Sequence, residues 1–371
     1  MAGPLCNSLP PGVNYRMPYD NFDTPCLLLD LDRVEANIAT MMGTLAGTGV
    51  SLRPHFKTPK CPQVAKLQLE AGAIGITVAK LGEAEVLADA GLGPILMANQ
   101  VVGRLKIDRL MSLLARGVDI TVAVESEFNI AELADGARRS GQKPSAIIEV
   151  DAGMHRCGST DPAETVRLAQ MLVDSGITYR GIMGYEGHMY GFPEEAERTA
   201  VIQTALDRVQ AHSEALAEAG LAPEIVSTSG TASVALAAKR AGVTELQAGT
   251  YVFMDGTAEK FVPNTFQQAL TLLTTVISVQ ERYAVCDSGI KSLSNDFGPP
   301  MSVDGTVKVA RLSEEHGTLT GEGIARLKPG DRLEIVPSHG DTTLNLHDVY
   351  HVHRGGTPVE DWPILAARKY R

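Results

Sequence analysis

The sequence predicts an α/β protein in two parts: a (β/α)8 TIM-type barrel over residues 32–264, then a mainly antiparallel β domain over residues 265–371. Three observations predict it. Strand-like runs alternate with helix-period runs through the first two thirds of the chain, which calls for a parallel sheet joined by crossover helices. No GxGxxG turn follows the first strand, which argues against the competing doubly wound open sheet. Beyond residue 265 the helical period gives way to Val, Thr, Ile and Tyr runs broken by Gly and Pro, the texture of antiparallel strands.

Residues 1–24 carry Pro4, Pro10, Pro11, Gly12 and Pro18 and read as an irregular arm, placed across a partner subunit or the second domain. Residues 25–31 form an apolar strand, and an amphipathic helix begins at Asp32. Strands follow at 51–56, 75–80, 94–98, 119–125, 145–151, 179–186, 224–229 and 245–253. Helices fill the gaps at 61–71, 81–90, 104–116, 128–140, 162–175, 193–219 and 232–241. With 25–31 the strands number one too many for the barrel, so residues 1–31 are assigned to an arm and a strand that joins the β domain. That domain takes strands at 270–280, 283–287, 307–312, 332–337 and 349–354.

At 371 residues the chain can bury a substantial core, and 44% hydrophobic with 21% charged residues is ordinary for a globular enzyme. A net charge of −11 argues against nucleic acid or an anionic membrane as the main partner. The five cysteines are odd in number, scattered and free of CxxC spacing, which fits a reducing cytoplasm. No basic segment leads into an apolar run at the start, and no apolar stretch approaches about 18 residues.

In a barrel, chemistry sits at the carboxyl ends of the strands. Lys57 follows the first barrel strand, bracketed by Pro54 and Pro59, where partial burial would make its amine a nucleophile toward an aldehyde; a solvated surface lysine is the plainer alternative. The TSGTAS run around Ser227, Ser229, Gly230 and Thr231 follows the seventh strand, and Gly249, Thr250 and Tyr251 lie in the eighth. Small hydroxyl residues and glycines running into a helix offer N–H and O–H groups to a phosphate, although such clusters also serve as ordinary helix caps. A reactive lysine and a phosphate cradle on one face imply pyridoxal 5'-phosphate. Tyr185 can then stack on its ring and Arg156 can hydrogen-bond its polar atoms; a half-buried tyrosine and a strand-end ion pair are the plainer alternatives. Far along the chain, His339 and Asp341 stand in an HxD pair. If the backbone there is extended, both side chains point to one side and can approach one divalent cation, Mn²⁺, Mg²⁺ or Zn²⁺, with His347 a second candidate ligand.

Taken in order, RPHFK at Lys57, DAGMHRCG from Asp151, GYEGH from Gly184, TSGTAS, ELQAGTYVFMD from Glu245, DSGIKS from Asp287 and PSHGDTTLNLHD from Pro337 resemble one family. It is the D-threonine aldolase and D-serine dehydratase-like group of pyridoxal phosphate enzymes, related to alanine racemase in the barrel. The resemblance implies a Schiff-base lysine at Lys57, ring contacts from Arg156 and Tyr185, and phosphate contacts from 227–232 and 249–251. It also implies a divalent metal on His339 and Asp341. HxD rather than HxC favours aldolase over dehydratase, with a hard cation such as Mn²⁺. The implied reaction is cleavage of a D-3-hydroxy-α-amino acid to glycine and an aldehyde, with catalytic roles for Lys57 and His339, in a homodimer. Dehydration, racemization and non-catalytic cofactor carriage are the alternatives.

Overall fold

The computed structural model describes residue 19 and residues 22–371; most of the arm expected at 1–24 lies outside them. The barrel is preceded by β1 (Cys26–Asp30) and α1 (Leu31–Leu45). Asp30 caps α1 by accepting from the Arg33 N–H, and Val34, Ile38, Met41 and Leu45, at three- and four-residue spacing, form its buried face.

The repeating unit then runs β2 (Ser51–Leu52), α2 (Pro62–Glu70), β3 (Ile76–Val78), α3 (Leu81–Asp89), β4 (Ile95–Gln100), α4 (Arg104–Ala115) and β5 (Ile120–Val124). It continues through α5 (Glu127–Ser140), β6 (Ser145–Glu149), α6 (Pro162–Asp174), β7 (Thr178–Met183), α7 (Glu195–Glu218), β8 (Ile225–Thr228), α8 (Val234–Ala237) and β9 (Glu245–Leu246). Ser126 and Asp161 cap α5 and α6. Every pairing in this sheet is parallel, in the order β2-β9-β8-β7-β6-β5-β4-β3, and a bridge between His55 and Thr77 completes the ring. Strands such as β5, buried at every position, show why the sequence there reads as continuous apolar runs rather than alternation.

After α9 (Ala258–Phe261) the chain enters the second sheet: β10 (Leu270–Val279), β11 (Ala284–Cys286), β12 (Met301–Ser302), β13 (Lys308–Leu312), β14 (Gly317–Thr320), β15 (Arg332–Val336), β16 (Val349–Arg354) and β17 (Thr357–Pro363). A short helix, α10 (Gly340–Leu344), interrupts it. Its nine strands include β1, set between β10, antiparallel, and β16, parallel. Thus from β1 onward the chain starts in the β domain, builds the barrel, and returns.

Three local expectations are corrected. The strand expected at 245–253 stops at Leu246; Thr250–Val252 is a turn of 3-10 helix, because the chain must bend across the barrel mouth. The helix expected at 232–241 shortens to one 3-10 turn and the four residues of α8. At 339–341 the backbone is not extended throughout: His339 is, but Asp341 lies in the first turn of α10, so the alternation argued for the pair does not apply.

Candidate active site

The carboxyl ends of the barrel strands surround a cavity of about 250 Å³. Its lining includes Lys57, Arg156, Tyr185, Ser229, Gly230, Thr231, Gly249 and Thr250, so most of the predicted cofactor residues meet there. Lys57 sits in the turn after β2, where its backbone N–H donates to His55 Nδ1 at 3.3 Å. Burial, and then the cations Lys57, Lys60 and Arg156, push the His55 imidazole well below its usual range. The ring is therefore neutral and free to accept.

Tyr185 follows β7, its phenol raised above the ordinary range by burial. The ring is seated between two glycines: a Cβ on Gly187 would fall 2.3 Å from Tyr185 Cε1, and one on Gly230 would fall 3.1 Å from Cε2. Any larger residue at Gly187 would push the ring from its place. The Arg156 guanidinium stands 5.9 Å from the centre of that ring and 3.7 Å from Glu149 Oε1. Glu149 is buried, which raises its carboxyl pKa, and it accepts from Gln100 Nε2 at 2.5 Å.

The loop after β8 is held from behind. Ser229 adopts a left-handed backbone conformation, φ 77°, unusual for a residue with a Cβ. Its hydroxyl donates to the Gly230 carbonyl and contacts Ser233 Oγ, each at 2.9 Å. Ser233 in turn donates to Glu186, which also accepts from Thr228 Oγ1 at 3.1 Å. The Glu186 side chain is buried and its pKa is raised by that burial. Two predicted residues lie outside the cavity. Ser227 is buried beneath it, and Tyr251 packs in the core with its hydroxyl accepting from Gln68 Nε2 at 2.8 Å. The Tyr251 backbone N–H nevertheless fixes Thr231 Oγ1 at 2.9 Å.

The β domain brings the HxD pair to the same mouth. Asp341 Oδ2 lies 3.9 Å from Lys57 Nζ, while Asp341 Oδ1 is buried with no hydrogen-bond partner among the described residues. His339 Nδ1 lies 2.7 Å from Asp296 Oδ2, an arrangement that orients the ring and leaves Nε2 as its donor to a cation. His347 is turned away, its Nε2 bonded to the Ser292 carbonyl at 2.8 Å. An orphaned carboxylate oxygen two residues along the chain from an imidazole oriented by a carboxylate is a donor set that suits a hard divalent cation. Sequence reasoning missed Glu149, Glu186 and Asp296. Glu186 was within reach, because it sits inside the GYEGH motif.

This barrel, with a lysine at its mouth and a β domain closing over it, is the architecture of the alanine racemase group. The family described as Alanine racemase, N-terminal domain, matches residues 29–256, and a Putative serine dehydratase domain matches residues 269–353. The chain belongs to the D-threonine aldolase and D-serine dehydratase-like family of that group. It is 35% identical to a D-threonine aldolase of Arthrobacter sp., over 97% of this chain and 96% of the relative. It is also 32% identical to a D-threo-3-hydroxyaspartate dehydratase of Delftia sp. (strain HT23), over 92% and 97%. The crystal structure of D-threonine aldolase from Filomicrobium marinum superimposes with a TM-score of 0.89 at 36% identity, covering 93% of this chain and 95% of that one.

Proposed function

We propose that this protein is a pyridoxal phosphate- and divalent-metal-dependent aldolase that cleaves D-3-hydroxy-α-amino acids such as D-threonine to glycine and an aldehyde. The observation that carries the reading is Asp341, with its unpartnered oxygen, set beside Lys57 at the barrel mouth. It is a carboxylate where a thiolate would select a softer metal, and it reaches the lysine expected to hold the cofactor.

Lys57 would hold the cofactor, the 229–231 and 249–250 segments its phosphate, and Tyr185 and Arg156 its ring. When bound, the cofactor supplies an electron sink, and a cation on His339 and Asp341 supplies a Lewis acid for the β-hydroxyl. The residues do the rest. Asp296 accepts from His339 Nδ1–H and so would hold the ring with Nε2 toward the cation, while the β-hydroxyl proton would leave to a water at the mouth. Lys57 Nζ, once its amine is free, would carry to Cα the proton that completes glycine. Tyr185, clamped by Gly187 and Gly230, keeps the plane in which the breaking bond must be aligned.

Purified protein with pyridoxal phosphate and Mn²⁺, offered D- and L-3-hydroxy amino acids, tests the reading by following aldehyde and ammonia separately. Aldehyde and glycine in equal amounts from the D isomers is the expected result. Ammonia with a keto acid is the outcome of the second reading, a dehydratase, which the similarity to the Delftia enzyme favours.

A further inference from the structure

His339 and Asp341 belong to the β domain, yet hydrogen bonds tie their segment to the barrel. Asp255 stands at the centre of the tie, buried in the loop between the 3-10 turn Thr250–Val252 and α9. Its Oδ2 accepts from the Gly340 N–H at 2.9 Å, and its Oδ1 accepts from the Thr257 and Ala258 N–H groups at 3.1 and 2.8 Å. Backbone donors from both domains therefore meet on one carboxylate. Alongside it, the Gly256 N–H donates to the Pro337 carbonyl at 3.0 Å, and the Ser338 carbonyl accepts from the N–H and the hydroxyl of Thr257 at 3.1 and 2.6 Å.

The start of α10 shows why such a tie is needed. The first N–H groups of a helix have no partner within it, and the residue just before the helix ordinarily supplies a side-chain acceptor. Here that residue is His339, which makes no capping bond because its ring is engaged with Asp296 Oδ2. Asp255 supplies the acceptor from the barrel instead. The N–H that it holds belongs to Gly340, the residue between the two candidate ligands, so one bond fixes the peptide plane from which both side chains depart.

We propose that Asp255 is a positioning residue for the metal pair: it caps α10 from the barrel and so sets His339 and Asp341 at a fixed place relative to Lys57. The proposal rests on the metal reading given above. The Asp255 oxygens are turned to backbone N–H groups, so its effect on a cation comes through the placement of the pair. Without this bond the pair would follow the β domain. With it, the pair follows the barrel, on which Lys57 stands.

The test is Mn²⁺ titration of the full chain followed by electron paramagnetic resonance, on the wild type, Asp255→Asn and Asp255→Glu, with pyridoxal phosphate affinity and the urea midpoint measured beside it. Asparagine has one acceptor oxygen; turned to Thr257 and Ala258, it leaves an NH2 group against the Gly340 N–H. Glutamate keeps the charge but carries it one methylene out of place. Both variants should weaken Mn²⁺ by about tenfold or more, with pyridoxal phosphate affinity at the wild-type value. Wild-type Mn²⁺ affinity in either variant overturns the proposal while leaving the metal reading intact; retained in Asp255→Glu alone, it marks charge rather than placement. Equal losses of metal and cofactor affinity with a lowered urea midpoint also overturn it, since a purely structural role moves all three. Should both Asp255 variants fail to fold, Thr257→Val, which removes only the hydroxyl bond to the Ser338 carbonyl, decides: weaker Mn²⁺ with intact cofactor binding supports the proposal, and unchanged Mn²⁺ affinity overturns it. Failure of the wild type to bind Mn²⁺ overturns the metal reading and this proposal with it.

Discussion

Lys57 Nζ lies 3.9 Å from Asp341 Oδ2, a contact that joins the mouth of the barrel to the first turn of α10 in the β domain. Lys57 remains 45% exposed, so the contact adds little to stability. Its consequence is chemical. Two motifs at opposite ends of the sequence come within reach of one small molecule.

Lys57 is the residue on which the cofactor reading depends, because only an amine forms the covalent bond to an aldehyde. Borohydride reduction of the loaded protein followed by peptide mass spectrometry should place the tag on Lys57. Lys57→Ala should lose the tag and the visible absorbance together. Lys60 is the control, since its amine is already committed to Glu83 Oε1 at 2.5 Å. A tag on any other lysine of the Lys57→Ala protein would remove Lys57 from the site.

Glu186 predicts a pH dependence of stability. Burial raises its folded-state pKa above the unfolded value of about 4.3. Between those two values the native state binds more protons than the unfolded one, so stability is full below the unfolded pKa, falls as pH rises through the window, and then levels. Glu186→Gln keeps the acceptor oxygen for Thr228 or Ser233 and carries no charge, so its urea midpoint should fall less over the same range. Glu186→Ala leaves both hydroxyls without their acceptor and should cost about 1–3 kcal/mol, with weaker cofactor uptake because the left-handed Ser229 loses its support. Parallel pH profiles for wild type and Glu186→Gln would show that Glu186 does not titrate in this way.

Much of this was legible in the sequence, and the reasons are particular. The barrel shows because strands such as β5, buried on both faces, and helices such as α1, apolar on one, have different periods that alternate along the chain. The surplus strand at 25–31 shows because a closed barrel has no place for it; β1 pairs with β10 and β16. Local backbone did not show. Nothing in the run QAGTYVF marks where a strand ends, and Tyr251, which looks like a ligand contact beside Gly249, turns inward because the 3-10 turn rotates it toward Gln68. The partners of His339 and Tyr185 were equally hidden, since Asp296 and Gly230 reach them only through the fold.

A metal on His339 and Asp341 would decide between the readings of the β-hydroxyl's fate. Asp341 Oδ1 is buried and has no hydrogen-bond partner among the described residues, an arrangement costly for a carboxylate unless something positive meets it, and Asp296 already holds His339 in the orientation a ligand needs. Treatment with a chelator should therefore abolish cleavage of D-threonine while the absorbance of the lysine-bound cofactor stays, because Lys57 and the phosphate loops belong to the barrel. Mn²⁺ should restore activity. Asp341→Ala should lower kcat/KM on the order of 10²-fold or more, the scale of losing an electrostatic contribution at the reacting centre. Asp296→Ala should act more mildly, through weaker metal affinity, by about 10- to 100-fold, and excess Mn²⁺ should rescue it where it cannot rescue Asp341→Ala. Asp341→Cys separates the two chemistries: a thiolate favours Zn²⁺, and ammonia should then appear at the expense of aldehyde. Cleavage at an unchanged rate after complete metal removal, checked by elemental analysis, would show that the pair at 339 and 341 plays no part in the reaction.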